Sequence, residues 1–200
     1  MDGILWNRLK YVLSPQFDIY KSISTITRGK TADIGSGTGF GTHLLTLNSD
    51  EVHGFEIDEN AIRFAQEVFP FKQLHFQYGD IVKGINHNTF QYVIMIDVIE
   101  HIEQDKEALL NAKNMLAKGG TFICATPNRL SRYRKSENHV REYTPKELET
   151  LLKQVFILVN LKNYRLEPLI SPYENPILAI CRNGEWASIK SNKEAKKDGI

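Results

Sequence analysis

Four glycines at every second position, Gly35, Gly37, Gly39 and Gly41, fall between a strand-like run ending in Asp33-Ile34 and an apolar helical pattern of Phe40, Leu44, Leu45 and Leu47. A chain with this spacing has to make a strand, a tight turn and a helix start in quick succession. Glycine suits the turn because it takes positive φ and, lacking Cβ, lets a ligand lie against bare main chain. The helix start behind it presents unpaired N–H groups to a polar or anionic ligand group. The stretch therefore points to a nucleotide-like cofactor. The dinucleotide fingerprint needs a small residue at its third glycine position so that helix and strand pack closely. Here that position holds Phe40 counted from Gly35, or Thr42 counted from Gly37. No Lys-Ser/Thr pair follows, as a phosphate-binding P-loop requires.

The β-α alternation continues beyond the turn. Residues 51–58 read as a second strand ending in Glu56 and Asp58, followed by a helix over 60–69 and a third strand over 74–80 ending in Gly79-Asp80. Tyr92-Val93-Ile94-Met95-Ile96 is the continuous apolar run of a central parallel strand buried on both faces. It runs into the polar cluster Asp97-Val98-Ile99-Glu100-His101-Ile102-Glu103. A helix over 104–116, closed by Lys118-Gly119-Gly120 as C-cap, then precedes a strand over 121–126. Thr144, Pro145 and Glu147 carry the signature of a capped helix start, with the helix running to about Val155. Residues 156–166 and 175–182 read as the last two strands. Ahead of the first strand, residues 4–13 have apolar positions at helical spacing, and Ser14-Pro15 opens a second helix to about Ile26.

Alternation of this kind builds a parallel sheet with right-handed crossovers. With 200 residues, 42% of them hydrophobic, there is room for one domain and no second full one. The formal net charge of +1 gives no bulk attraction to nucleic acid or membrane. Cys124 and Cys181, both in apolar strand contexts, suit neither a disulfide framework nor a zinc site. No basic-then-apolar leader and no 18-residue apolar run is found, so a soluble, unprocessed, cytoplasmic chain is expected.

From Asp33 through Gly39 the chain resembles the Asp-x-Gly-x-Gly-x-Gly signature of the class I S-adenosylmethionine-dependent methyltransferases, and the order of later motifs extends the resemblance to Pro127. It implies an α/β fold: a Rossmann-like, doubly wound, seven-stranded sheet, mostly parallel with the last strand antiparallel. The domain would span residues 30–183, with N-terminal helices over 1–29 as lid or packing and a charged tail from 184. The resemblance also implies that Asp33, Gly35, Gly37, Gly39, Glu56, Ile57, Asp80, Ile81 and Asp97 hold S-adenosylmethionine. Glu56 would take the ribose hydroxyls, since ligands of doubly wound sheets sit at the carboxyl ends of strands. Asp80 would take the adenine amino group, with Ile81 backing the ring.

For catalysis, His101 and His139 are the base candidates, because imidazole titrates in the right range. The long polar stretch 129–141 is of a length more often functional than idle. Arg132 and Arg134, with Arg129, could hold a phosphate or carboxylate on an acceptor, or simply face water. His139-Val140-Arg141-Glu142-Tyr143-Thr144-Pro145 is similar to a segment of many small-molecule methyltransferases that opens the substrate side of the pocket, which brings in Tyr143. Asp97-Val98-Ile99-Glu100-His101 resembles the metal-binding Glu-x-x-Glu-His arrangement of the small-RNA 3′-terminal 2′-O-methyltransferases, and a similar Glu-His pair is found in ubiquinone-pathway O-methyltransferases. Asp97 at the first position and a single clear later histidine depart from the former pattern, and no metal is expected. The expected activity is methyl transfer to an oxygen or nitrogen of a small molecule. The alternatives are a metal-assisted RNA methyltransferase, disfavoured by the near-zero charge, and a non-catalytic S-adenosylmethionine-binding module. No membrane insertion and no nucleic-acid partner are expected, and oligomeric state is left open.

Overall fold

A computed structural model describes residues 14–86, 89–132 and 136–183; the helical pattern over 4–13, Arg134 and the charged tail lie outside them. The strands are β1 (Lys30–Ile34), β2 (Glu51–Glu56), β3 (Leu74–Tyr78), β4 (Phe90–Ile96), β5 (Leu116–Thr126), β6 (Leu158–Lys162) and β7 (Ile177–Arg182). The helices are α1 (Pro15–Ser24), α2 (Phe40–Leu45), α3 (Glu59–Val68), α4 (Asp105–Asn114) and α5 (Pro145–Lys153). The strands form one seven-stranded sheet in the order β3-β2-β1-β4-β5-β7-β6. β1 to β5 pair in parallel, and β7 runs antiparallel to both β5 and β6.

Side chains alternate across a strand, so the apolar run of β4 feeds two cores. Val93 and Met95 pack with Ala108, Leu109 and Ala112 of α4 and with Leu148 and Leu152 of α5. Ile94 and Ile96 face the other way, toward Ile19 and Ile23 of α1, Leu45 of α2 and Ile62 and Ala65 of α3. Local chemistry sets the helix starts. Asp58 accepts from the Asn60 N–H at the head of α3. At α5, Thr144 Oγ1 accepts from the Glu147 N–H while Glu147 Oε2 accepts from the Thr144 N–H, the reciprocal pair that satisfies two otherwise unpaired donors.

The Lys118-Gly119-Gly120 segment departs from its expected role. The helix ends at Asn114 with Met115 as its cap, and strand pairing already begins at Leu116, opposite Phe90. The register shifts before resuming at Tyr92↔Thr121. Gly119, at φ +77, serves this irregularity and not a helix cap. The glycine signal was sound, and the ladder with β4 claimed it.

The strand order reverses at β1, whose neighbours are β2 on one side and β4 on the other. In open α/β sheets this reversal opens a crevice outside the carboxyl ends of the strands.

Candidate active site

A cavity of about 550 Å³ occupies that crevice, with Gly35, Glu56, Ile57, Asp80, Ile81 and Asp97 on its wall. Val98, Ile102 and Val140 add apolar surface. Glu56 terminates β2 and is held by main chain. Its Oε2 accepts from the Gly37 N–H at 2.8 Å, and its Oε1 from the N–H groups of Ile57 and Asp58 at 2.7 and 3.0 Å. Three of its roughly four acceptor sites are thus taken, and Oε2 keeps one for a hydroxyl. Asp80 accepts from the Val82 N–H at 3.0 Å and lies 3.0 Å from Lys83 Nζ, whose hydrogen bond pulls its pKa below the usual carboxylate value. Carboxylates at two edges of the hollow with isoleucine and valine between them suit a nucleoside: acceptors for ribose and amino protons, apolar contact for the ring.

A second cavity, of about 410 Å³, adjoins the first. Asp97 and His101 belong to the walls of both, and Glu100, His139, Pro127 and Gln16 face the second. Asp97 adopts φ +53, which turns the chain sharply at the end of β4, and its Oδ2 accepts from Gln16 Nε2 at 2.8 Å. Aspartate tolerates this left-handed conformation better than most residues. α1 thus covers the second cavity through Gln16 while Ile19 and Ile23 bury in the core. Neither Gln16 nor its role was legible in sequence, since nothing local ties it to a residue so distant.

His101 Nδ1 lies 2.9 Å from the Asn138 carbonyl oxygen. A carbonyl only accepts, so Nδ1 carries a proton, and in the neutral ring Nε2 is the nitrogen with the lone pair. The rings of His101 and His139 meet edge to face at 4.9 Å, and His139 Nδ1 lies 2.8 Å from Glu142 Oε1. Glu100 is 0% exposed. Its Oε2 accepts from Thr126 Oγ1 at 3.0 Å, whereas Oε1 has no hydrogen-bond partner among the described residues. Burial, then the nearby Asp97 charge, pushes the Glu100 pKa up to about 8. Glu100, His101 and His139 each offer one ligating atom, all within 4.8 Å of one another.

Several expected site residues stand elsewhere. Asp33 is fully buried behind the glycine turn, where its carboxylate accepts from Tyr20 OH at 2.9 Å and Thr42 Oγ1 at 2.7 Å. It braces α1 and α2 against β1 and does not reach the cavity wall. Gly37 and Gly39 are also off the wall; the former pins Glu56, and the latter lets α3 and β3 close on the turn. Tyr143 is 3% exposed and its hydroxyl donates to Asp105 Oδ2, so it anchors the 138–143 segment and lines neither of these two cavities. Arg141 pairs with the same carboxylate. Arg132 is exposed and lines neither cavity, and Arg129 is paired to Glu147 at 2.7 Å. The ends of the segment are tied down by ion pairs, and Arg132, Glu137 and Asn138 are exposed.

Asp33 also makes a pH prediction. Burial raises its pKa from 3.8 to about 7, so the folded state holds the proton more tightly than the unfolded chain. Stability is then fullest below the unfolded value and declines as pH rises toward 7. Denaturant titrations of Asp33→Asn between pH 4 and 8 are expected to lose this part of the slope. A slope identical to wild type would mean Asp33 does not titrate there.

Set beside known proteins, residues 28–169 match a family model described as a methyltransferase domain. A curated relative, a probable S-adenosylmethionine-dependent methyltransferase of Mycolicibacterium smegmatis, is 23% identical over 142 residues, which are 68% of this chain and 54% of the relative. The chain thus spans about half the length of that protein. A TehB-like S-adenosylmethionine-dependent methyltransferase of Corynebacterium glutamicum superposes with a TM-score of 0.70 at 20% identity, covering 91% of this chain and 96% of that one. The N-methyltransferase NodS of Bradyrhizobium japonicum, solved with S-adenosylhomocysteine, gives 0.65 at 19% identity over 88% and 91%. No described helix is long and apolar enough to cross a membrane.

Proposed function

Because the chain belongs to the methyltransferase-domain family and carries the class I fold of S-adenosylmethionine-dependent enzymes, we propose that it transfers a methyl group to an oxygen or nitrogen of a small molecule. S-Adenosylmethionine would lie in the larger cavity, with its ribose on Glu56, its adenine between Ile57 and Ile81 and its amino group at Asp80. The acceptor would lie in the smaller one. The observation that supports this most directly is the shared wall: Asp97 and His101 border both hollows. A bound sulfonium supplies an electrophilic methyl, and the protein's part is to align an acceptor behind it, an effect worth roughly 7–11 kcal/mol.

His101 is the proposed base. With Nδ1 engaged by Asn138, Nε2 is the nitrogen that receives a proton from the acceptor, a contribution on the order of 10²–10⁴-fold. With a panel of small hydroxyl and amine acceptors and labelled methyl donor, His101→Ala is expected to cut turnover by about 100-fold. S-Adenosylmethionine affinity should stay near wild type. Unchanged turnover would remove His101 from the chemistry.

A second reading rests on Glu100 Oε1, a buried acceptor without a partner among the described residues beside two imidazoles. Glu100, His101 and His139 together could hold a divalent cation that polarises an acceptor hydroxyl, with His101 a ligand and not a base. Turnover that a chelator abolishes and Mg²⁺, Mn²⁺ or Zn²⁺ restores would favour this reading, and indifference to both would end it.

A further inference from the structure

The amino end of the sheet, opposite the cavities, carries a second group of metal-ligating side chains. His53 of β2 and His75 of β3 stand directly across from one another in the parallel ladder. Glu51 precedes His53 by two positions and so shares its face. His53 Nε2 lies 2.5 Å from Glu51 Oε1, His75 Nε2 lies 3.5 Å from the same oxygen, and the two rings are 4.7 Å apart. We infer that Glu51, His53 and His75 form a binding site for a borderline divalent metal ion of the zinc or nickel(II) kind.

Zinc binds histidine and carboxylate at about 2.0–2.2 Å, which sets ligand atoms roughly 3.4 Å apart around a tetrahedral ion. The observed separations bracket that value, so small side-chain rotations open the centre. Two imidazoles and a carboxylate suit zinc, nickel or copper and not magnesium or calcium, which prefer all-oxygen shells.

The surroundings favour ligation. His53 is wedged against Phe90, with ring centroids 5.4 Å apart, which fixes its plane. Gln77 Nε2 lies 3.4 Å from His53 Nδ1. With a metal on Nε2 the proton sits on Nδ1, and the Gln77 amide, turned over, offers its oxygen to receive it. His75 is half exposed, and a hollow of about 390 Å³ lined by both histidines leaves room for water as a further ligand. Lys30 Nζ, 3.5 Å from Glu51 Oε1, partly neutralises the carboxylate and sits on a flexible stem that can swing to solvent. The site lies at the far end of the strands from the methyl site, so the ion would staple β2 to edge strand β3 and take no part in transfer.

The test titrates the full chain with zinc sulfate by calorimetry in a His139→Ala background, so that the Glu100–His101–His139 group does not contribute. A stoichiometric site that His75→Ala and, separately, Glu51→Gln each weaken at least ten-fold is the expected result, together with a zinc-dependent rise in melting temperature that both variants lose. S-Adenosylmethionine binding should be the same in both variants, which reports that they fold. Zinc affinity unaffected by both substitutions, or no zinc binding at all in the His139→Ala background, overturns the site. Should His75→Ala fail to fold, Glu51→Gln alone decides.

Discussion

Glu56→Ala is expected to weaken S-adenosylmethionine binding by on the order of 100-fold, read by calorimetry with the donor or its demethylated product. Hydrogen bonds to a charged group contribute about 1.5–3 kcal/mol each, and a ribose hydroxyl on the open Oε2 site puts the loss near 3 kcal/mol at the upper end, where each 1.4 kcal/mol is tenfold. The substitution also frees the glycine turn, because Glu56 Oε2 is what holds the Gly37 N–H. Glu56→Gln keeps one acceptor oxygen and should lose roughly ten-fold. Equal affinity in wild type and Glu56→Ala would take the carboxylate off the ribose and leave it a loop pin only.

Gly39→Ala should be among the most destabilising single changes in the chain, by about 2–5 kcal/mol in denaturant unfolding. Left-handed backbone costs an L-residue about 1–2 kcal/mol, and overpacking a filled site costs about 1–3 more. Gly39 sits at φ +84, and a Cβ there would approach Phe76 Cζ to 2.7 Å and Ala65 Cβ to 2.9 Å. Gly37 is the internal control: φ is +50, but nothing lies within 4 Å of a built Cβ. Gly37→Ala should therefore cost only the backbone part, about 1–2 kcal/mol. If the two variants unfold alike, packing of α3 and β3 on the turn is not what makes Gly39 necessary.

Periodicity and punctuation carried most of the architecture. The apolar run of β4, the Thr144 cap and the strand pair at 158–182 are local signals that tertiary contacts reinforced. So were the acids at the ends of β2 and β3, since a strand's carboxyl end has a fixed place in a doubly wound sheet.

Orientation was less legible. Asp33 belongs to a strand buried on both faces, where alternation does not tell a polar residue which way to turn, and two hydroxyls drew it inward. Tyr143 looked available in a polar segment, yet Asp105, well before it in sequence, captured its hydroxyl. Gln16 reaches Asp97 across 81 positions, and no spacing rule predicts such a contact. The loop arginines were read for charge alone, whereas Arg129 and Arg141 are already spoken for by Glu147 and Asp105.

The placement of β7 between β5 and β6 bears on how the molecule is made. While the chain is still leaving the ribosome, β5 and β6 each present an unmet row of amides and carbonyls, open to pairing with the wrong neighbour. Only when residue 182 has emerged can one inserted strand satisfy both. Completion of the sheet therefore waits on its last strand, whatever the cofactor half has already formed.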